Sequence, residues 1–466
     1  MTVLVSLRRA LSGCIIAALF SSVASAQQTP PPPAPPRPFQ LPTPATISLD
    51  NGLKATFIDF GVVPKVTIAV VIRTGGLNQG GKIWLSSLTC DLLEEGTQNK
   101  SSAQLAEAAA SMGGALSIGA GDDESLLSLD VLAEYGSDAI ALLAEVLTQP
   151  LLPESELPRL KQNYRRSLSV SLTQPQSLAG AAFAEALYPG HPYGDAFPTP
   201  EQLDSYSIED VRQYYADNFG ARRTHIYIAG RFDRAALEQA IRDRFGQWRK
   251  GPYPLIQPPP KNVARTVKLI DRPDAPQSTL RIGQRVIDPT QPGFTALSLA
   301  NTLLGGALTS RITMNLRETK GWAYSPSSAL STNYHDASWA ENADVKAEVT
   351  GPALVEIFKE IEALRAQPPQ AAELDAVKNY RNGIFVLSSA TRSGLISQLT
   401  FMNLQELPYE WLTSYVERLY AVTPEQISQA VQQQLDPAQM SVVVVGDLAT
   451  VREQLESVDT LAGAIP

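Results

Sequence analysis

Histidine and cysteine are scarce in this 466-residue chain, which holds three His (His191, His225, His335) and two Cys (Cys14, Cys90). Any zinc, copper or thiol chemistry must draw on those five residues or on carboxylates. Basic blocks are also missing. The 38 Lys plus Arg are spread among 47 Asp plus Glu for a net charge of -9, which argues against a nucleic-acid grip and reads as an ordinary soluble surface. No apolar run is long enough to span a bilayer; the one candidate, ALSGCIIAALF near the start, is too short. A G-x-S-x-G nucleophile elbow is absent, so Ser-His-Asp catalysis has no support. Cys90 lacks a positioned base and reads as a small buried hydrophobe rather than a nucleophile.

What is present begins with a targeting signal. Arg8 and Arg9 form a positive end, a short apolar core follows, and Ala24-Ser25-Ala26 is a small-x-small cleavage site, so residues 1–26 read as a cleaved signal peptide that delivers the chain to the periplasm or beyond. Leu11-Ser12-Gly13-Cys14 also spells a lipoprotein acylation site, but almost no apolar stretch separates Arg9 from Cys14, which disfavours it. Processing after Ala26 leaves Cys90 as the one thiol and excludes an intramolecular disulfide. Residues 27–44 are proline-rich and read as an extended polyproline tether.

From residue 45 the 44% hydrophobic chain supplies core for more than one domain. ISLDNGLKATFIDF places Asp50-Asn51-Gly52 as a turn between two strands. Helical periodicity over 84–95, 101–112, 133–149 and 154–171, with strand-like residues 115–132 between them, predicts an α+β fold of hairpin strands with helices on one face. The second half repeats the first. Ile226 to Gly230 corresponds to Val442 to Gly446 at an offset of 216, and Glu156-Leu157 with Lys161 corresponds to Glu373-Leu374 with Lys378 at 217. Two independent matches at nearly one offset predict two tandem homologous α+β domains, 45–249 and 263–460, joined by a proline-rich linker at 250–262.

Particular motifs carry a resemblance: Leu49-Asp50-Asn51-Gly52-Leu53, Thr74-Gly75-Gly76 and Gly96-Thr97 in the first half, then Leu304-Gly305-Gly306, Ser310-Arg311 and Leu316-Arg317-Glu318-Thr319-Lys320-Gly321-Trp322-Ala323-Tyr324-Ser325 in the second. Over residues 45–460 the chain resembles the M16 metallopeptidases, the family of pitrilysin, insulin-degrading enzyme and mitochondrial processing peptidase. The resemblance implies two domains that each pack an antiparallel sheet with helices. It also implies a helix carrying His-x-x-Glu-His just before Gly-Thr, where two His on one helical face hold zinc and the Glu activates water.

Counted back from Gly96, those positions hold Ser87, Cys90 and Asp91. The family's third ligand is a Glu about 77 residues on, and no acidic residue stands between Glu156 and Glu185. The expectation is therefore that this chain binds no metal or other cofactor, that Ser87 and Asp91 lie on a solvated helix face with Leu85, Leu88 and Leu92 turned to the core, and that the scattered histidines are structural. Arg317 and Tyr324 keep the spacing and flanks of the family's Arg/Tyr pair. The resemblance implies that they assist catalysis at a site on another chain: a zinc-bearing subunit with an intact His-x-x-Glu-His, which with this chain would enclose peptide substrates. The alternative is an inactive peptide-binding or assembly protein of the same fold, with Arg317 paired locally and Tyr324 packed in a strand.

Overall fold

The computed structural model describes residues 41–261 and 263–465. The signal segment with Cys14 and Ala26, and the tether up to residue 40, lie outside the described residues. The first sheet contains β1 (Ala45–Ser48), β2 (Lys54–Asp59), β3 (Lys65–Ile72), β4 (Ser117–Ala120), β5 (Ser125–Leu132) and β6 (Thr224–Gly230), in the order β1-β2-β6-β3-β5-β4. The second contains β7 (Val267–Asp271), β8 (Gln277–Val286), β9 (Ser327–Asn333), β10 (Asp336–Lys346) and β11 (Ser441–Gly446), in the order β7-β11-β8-β10-β9. Apart from the added β1 the two arrangements are the same, including the parallel pairs β2 with β6 and β7 with β11 among otherwise antiparallel neighbours. The 216-residue offset reappears as register, because Ile226 faces Val70 and Val442 faces Ile282.

Local chemistry is repeated with it. Lys161 Nζ donates to the Tyr206 carbonyl at 2.8 Å and Lys378 Nζ to the Tyr420 carbonyl at 3.1 Å. The next helix in each half, Ile208–Asn218 or Pro424–Gln434, starts with a capping box, Ser207 with Asp210 or Thr423 with Gln426, which satisfies otherwise orphaned backbone donors. The turn at Asp50-Asn51-Gly52 forms as the sequence predicts, with Gly52 at φ +99°, a conformation open to glycine at little cost.

Helices do not stay on one face. The central strands are apolar on both sides, as KVTIAVVI in β3 and SVVVVG in β11 show, so both faces need cover. The second cover is exchanged between halves. Pro175–Leu187, from the first half, buries Ala179, Ala182, Phe183 and Leu187 against Ala340, Val443 and Val445 of the second sheet. Arg392–Leu404, beginning 217 residues later, buries Leu395 and Ile396 against Ile58, Ala69, Val71, Tyr227 and Ala229 of the first. Each fully buried Phe, Leu or Ile stabilises this exchange by about 1.5–3 kcal/mol.

Matching polar ties flank the exchanged helices. Thr67 Oγ1 donates to Asp130 at 2.7 Å and Arg392 Nη2 at 2.9 Å; in the other half Thr279 Oγ1 donates to Asp344 at 2.5 Å and Gln176 Nε2 at 3.0 Å. Burial alone would raise the Asp130 carboxyl, but Lys65, Thr67 and Arg392 hold it below the ordinary carboxylate value. Residues 251–260 form no regular element and run tied to the surface, with the Tyr253 carbonyl accepting from Arg223 Nε at 2.9 Å.

Candidate functional site

The helix Leu85–Glu94 carries the positions where the resemblance places zinc ligands. Its apolar spacing turns Leu85, Leu88 and Leu92 into the core, as expected, and Leu93 joins them. Cys90 is wholly buried, and burial pushes its thiol up to about 12, with a Ser125 hydrogen bond acting the other way. The thiolate form that binds metal is therefore suppressed near neutral pH.

The expected solvated face is not what forms around Ser87 and Asp91. The helix Leu157–Ser171, which in the family would bring the third acidic ligand, brings Tyr164 instead. Its hydroxyl donates to Asp91 Oδ2 at 2.8 Å and also bonds Ser87, while its ring rests 5.7 Å from that of Trp84. Burial raises the Asp91 carboxyl, and the Tyr164 hydrogen bond only partly offsets it. Burial beside Asp91 likewise raises the phenol far above its ordinary value, so it remains a donor. The nearby Glu94 is engaged by the Ile118 amide at 3.0 Å, and Glu95 pairs with Arg159. A neutral hydroxyl, a buried thiol and one carboxylate already capped by a phenol do not fit zinc, which needs three or four deprotonated or imidazole donors converging on one point.

The three histidines serve separate places. His191 is buried with Nε2 2.9 Å from the Gln257 carbonyl oxygen. His225 is stacked on Tyr227 at 4.2 Å and bonded to Thr56 Oγ1 at 2.7 Å; burial, aided by Lys54, pushes its imidazole down to about 4. His335 occupies the β9–β10 turn at φ +50° with Nε2 3.6 Å from Glu406.

Arg317 and Tyr324 are brought together. Arg317 lies in a π-helical turn, Met314–Thr319, where the Lys320 amide reaches back to the Asn315 carbonyl at 3.0 Å; such widened turns recur at functional sites. The turn is braced on every side. Leu316 is fully buried, Arg311 makes a two-pronged bond to Glu373 at 2.8 and 2.7 Å, and Asn315 donates to Glu356 and Glu360 at 2.9 and 2.8 Å. Gly321 at φ +65° turns the chain, and the Trp322 amide bonds the Leu316 carbonyl at 2.9 Å, which returns Tyr324 to Arg317. The guanidinium carbon sits 5.1 Å from the Tyr324 ring centre, a cation–π distance. Tyr324 is 79% exposed and lies outside any strand, so it does not pack in the way a purely structural tyrosine would. Arg317 also pairs with Glu318 at 3.1 Å; with 35% and 55% side-chain exposure, that pair is worth little and is easily exchanged for another anion. Guanidinium and phenol thus stand together on a rigid frame, with the guanidinium's N–H donors outside the exchangeable Glu318 pair and the phenol O–H available to a ligand.

Tyr164 was not singled out by the sequence, although the 217-residue offset that relates Lys161 to Lys378 runs straight through it to Arg381. Among the described residues no helix is long and apolar enough to cross a membrane.

Comparison with known proteins places these features. Residues 61–201 match the sequence model of Insulinase (Peptidase family M16), and residues 205–380 match that of the Peptidase M16 inactive domain. The uncharacterized zinc protease YmxG of Bacillus subtilis is 24% identical over 382 residues, covering 81% of this chain and 92% of its own. An uncharacterized zinc protease of Mycobacterium leprae is 22% identical over 86% of this chain and 92% of its own. Among solved structures, a peptidase M16 inactive domain from Pseudomonas fluorescens superposes with a TM-score of 0.81 at 24% identity, covering 87% of this chain and 98% of that one. The periplasmic protease PqqL of Escherichia coli superposes at 0.74 and 18% identity, covering 93% of this chain and half of that one.

Proposed function

Because this chain belongs to the M16 peptidase family, we propose that it is the non-metal-binding subunit of a heterodimeric peptidase, exported to the periplasm or secreted, and that it lends Arg317 and Tyr324 to a zinc-bearing partner. The observation that carries the proposal is an asymmetry within the chain: Tyr164 caps Asp91 where the family's ligands belong, while the Arg317–Tyr324 pair stands exposed on a braced frame.

Each residue has a defined task. The Arg317 guanidinium gives two parallel hydrogen bonds to a substrate carbonyl or carboxylate and fixes the peptide's position. The Tyr324 hydroxyl donates to the oxyanion that develops when water attacks the scissile carbonyl. Substrate pairs as an added strand with an exposed sheet edge, which reads backbone and tolerates many sequences. Glu318 holds Arg317 until substrate displaces it.

The test is reconstitution with a zinc-bearing subunit. Arg317→Ala and Tyr324→Phe are each expected to lower kcat of the pair about 100- to 1000-fold, the usual effect of deleting one oxyanion donor, with partner zinc content unchanged. Full activity in both variants, or stoichiometric zinc and peptide cleavage by this chain alone, overturns the proposal and in the first case leaves the assembly-protein reading.

A further inference from the structure

The second half holds its own version of the space that Tyr164 closes in the first. There, a cavity of about 560 Å³ opens between the helices Phe294–Leu304 and Ala371–Ser389 and the edge strand β9. The 217-residue offset puts Arg381 where the first half has Tyr164. Arg381 lines the cavity with Nη2 donating to Ser298 Oγ at 3.2 Å, while its Nε is buried with no hydrogen-bond partner. It forms no ion pair among the described residues. The opposing walls are apolar and aromatic, with Phe294, Phe401 and Trp411. Among the described residues β9 pairs with no strand but β10, and beyond Ser328, whose amide donates to the Gly305 carbonyl, its outer backbone edge is open along one side.

We propose that this cavity anchors the C-terminus of a peptide, with Arg381 holding the terminal carboxylate and the aromatic walls taking an apolar last side chain. A guanidinium left without a counter-charge beside apolar surface is matched by a planar carboxylate, which it binds through two parallel hydrogen bonds. The volume falls in the range of ordinary ligand pockets, where a few polar groups fix orientation and apolar walls supply contact. The β9 edge distinguishes a peptide from a simple fatty acid, because only a peptide brings amides to pair with it. The peptide class rests on the function proposed above; the Arg381 site lies on different residues from Arg317 and Tyr324.

The experiment measures binding to the chain alone, with a fluorescein-labelled hexapeptide ending in Leu-Phe as the free acid and as the C-terminal amide. The free acid is expected to bind about tenfold tighter than the amide, the scale of one charge-assisted contact. Arg381→Met should abolish the preference, and Arg381→Lys should restore part of it. Ile384→Glu, at an exposed cavity position one turn along the same helix, should weaken acid binding by supplying a competing carboxylate, and it does so without touching the core. Equal binding of acid and amide, or an acid preference that survives in both Arg381→Met and Ile384→Glu, overturns the proposal. Arg381-dependent binding of dodecanoate with no peptide binding overturns it too and assigns the cavity to a lipid. The acid preference is read on the chain alone and peptide cleavage on the reconstituted pair, so failure of this anchor and failure of the function proposed above are distinguished.

Discussion

Glu124→Gln should stabilise the protein increasingly as pH rises. Glu124 stands just before β5 where the first half meets the β9–β10 turn of the second: Arg73 Nε lies 3.9 Å from its Oε1, and the same guanidinium covers the Tyr334 ring at 4.7 Å. The Glu124 side chain is only 14% exposed, and Oε1 has no hydrogen-bond partner. Burial raises its carboxyl to about 7 from an ordinary 4.5, with Arg73 opposing and Asp123 adding to the rise; the buried Tyr227 phenol is the other titratable group facing it. A carboxyl whose folded value is raised contributes stability that is complete below about 4.5 and is lost as pH climbs through about 7. The shift corresponds to about 3 kcal/mol between those limits, on the scale of about 1.4 kcal/mol per unit. Gln keeps the shape and does not titrate. Urea unfolding of both proteins at pH 4.5, 6, 7 and 8 gives the difference directly. The variant's advantage over wild type should grow by roughly 3 kcal/mol across the series, most steeply between 5 and 7. Two parallel stability curves would refute the reasoning, since they would mean that the carboxylate is solvated or fully paired with Arg73 when folded.

Two further outcomes test the closed helix in the first half. With Cys14 replaced by Ser, Cys90 should resist a disulfide reagent at pH 8: a thiol raised to about 12 is ionised roughly one part in 10,000, against about one in ten at its ordinary value, so native labelling slower than denatured labelling by about a thousandfold is expected and stoichiometric labelling within seconds would contradict it. Tyr164→Phe should cost about 1–2 kcal/mol at pH 7 by stripping a half-buried carboxylate of its donor, and the loss should shrink as acid protonates Asp91 through its raised titration range; an unchanged unfolding curve would show that water already satisfies Asp91.

Much of the fold was legible because its signals are local. The Asn-Gly turn and the apolar strands each act over a few residues, and the recurrence of the strand Ile226 to Gly230 and of the Glu156-Leu157 and Lys161 pattern near one offset exposes the duplication. The exchange of Pro175–Leu187 and Arg392–Leu404 was not legible, since nothing in an amphipathic helix says which sheet it will cover. The same limit explains the helix Leu85–Glu94. Spacing places Ser87, Cys90 and Asp91 on it correctly, but whether that face meets water depends on Tyr164, which arrives from another helix 73 residues later.

The offset supplies a stronger argument than either half alone. Duplicated halves bring the same three supports, a short helix, a long helix and an edge strand, to one place in each copy, so one position on the long helix decides what that place contains. In the first half the position is Tyr164, an aromatic plug whose hydroxyl is used up on Asp91. In the second it is Arg381, a longer side chain that leaves the space open and carries a charge the described residues do not balance. Substitution at the two positions should therefore have unequal results: Arg381→Tyr should remove acid-selective peptide binding, whereas Tyr164→Arg should pair with Asp91 in place and create no new binding site, because there the counter-charge is already within the protein.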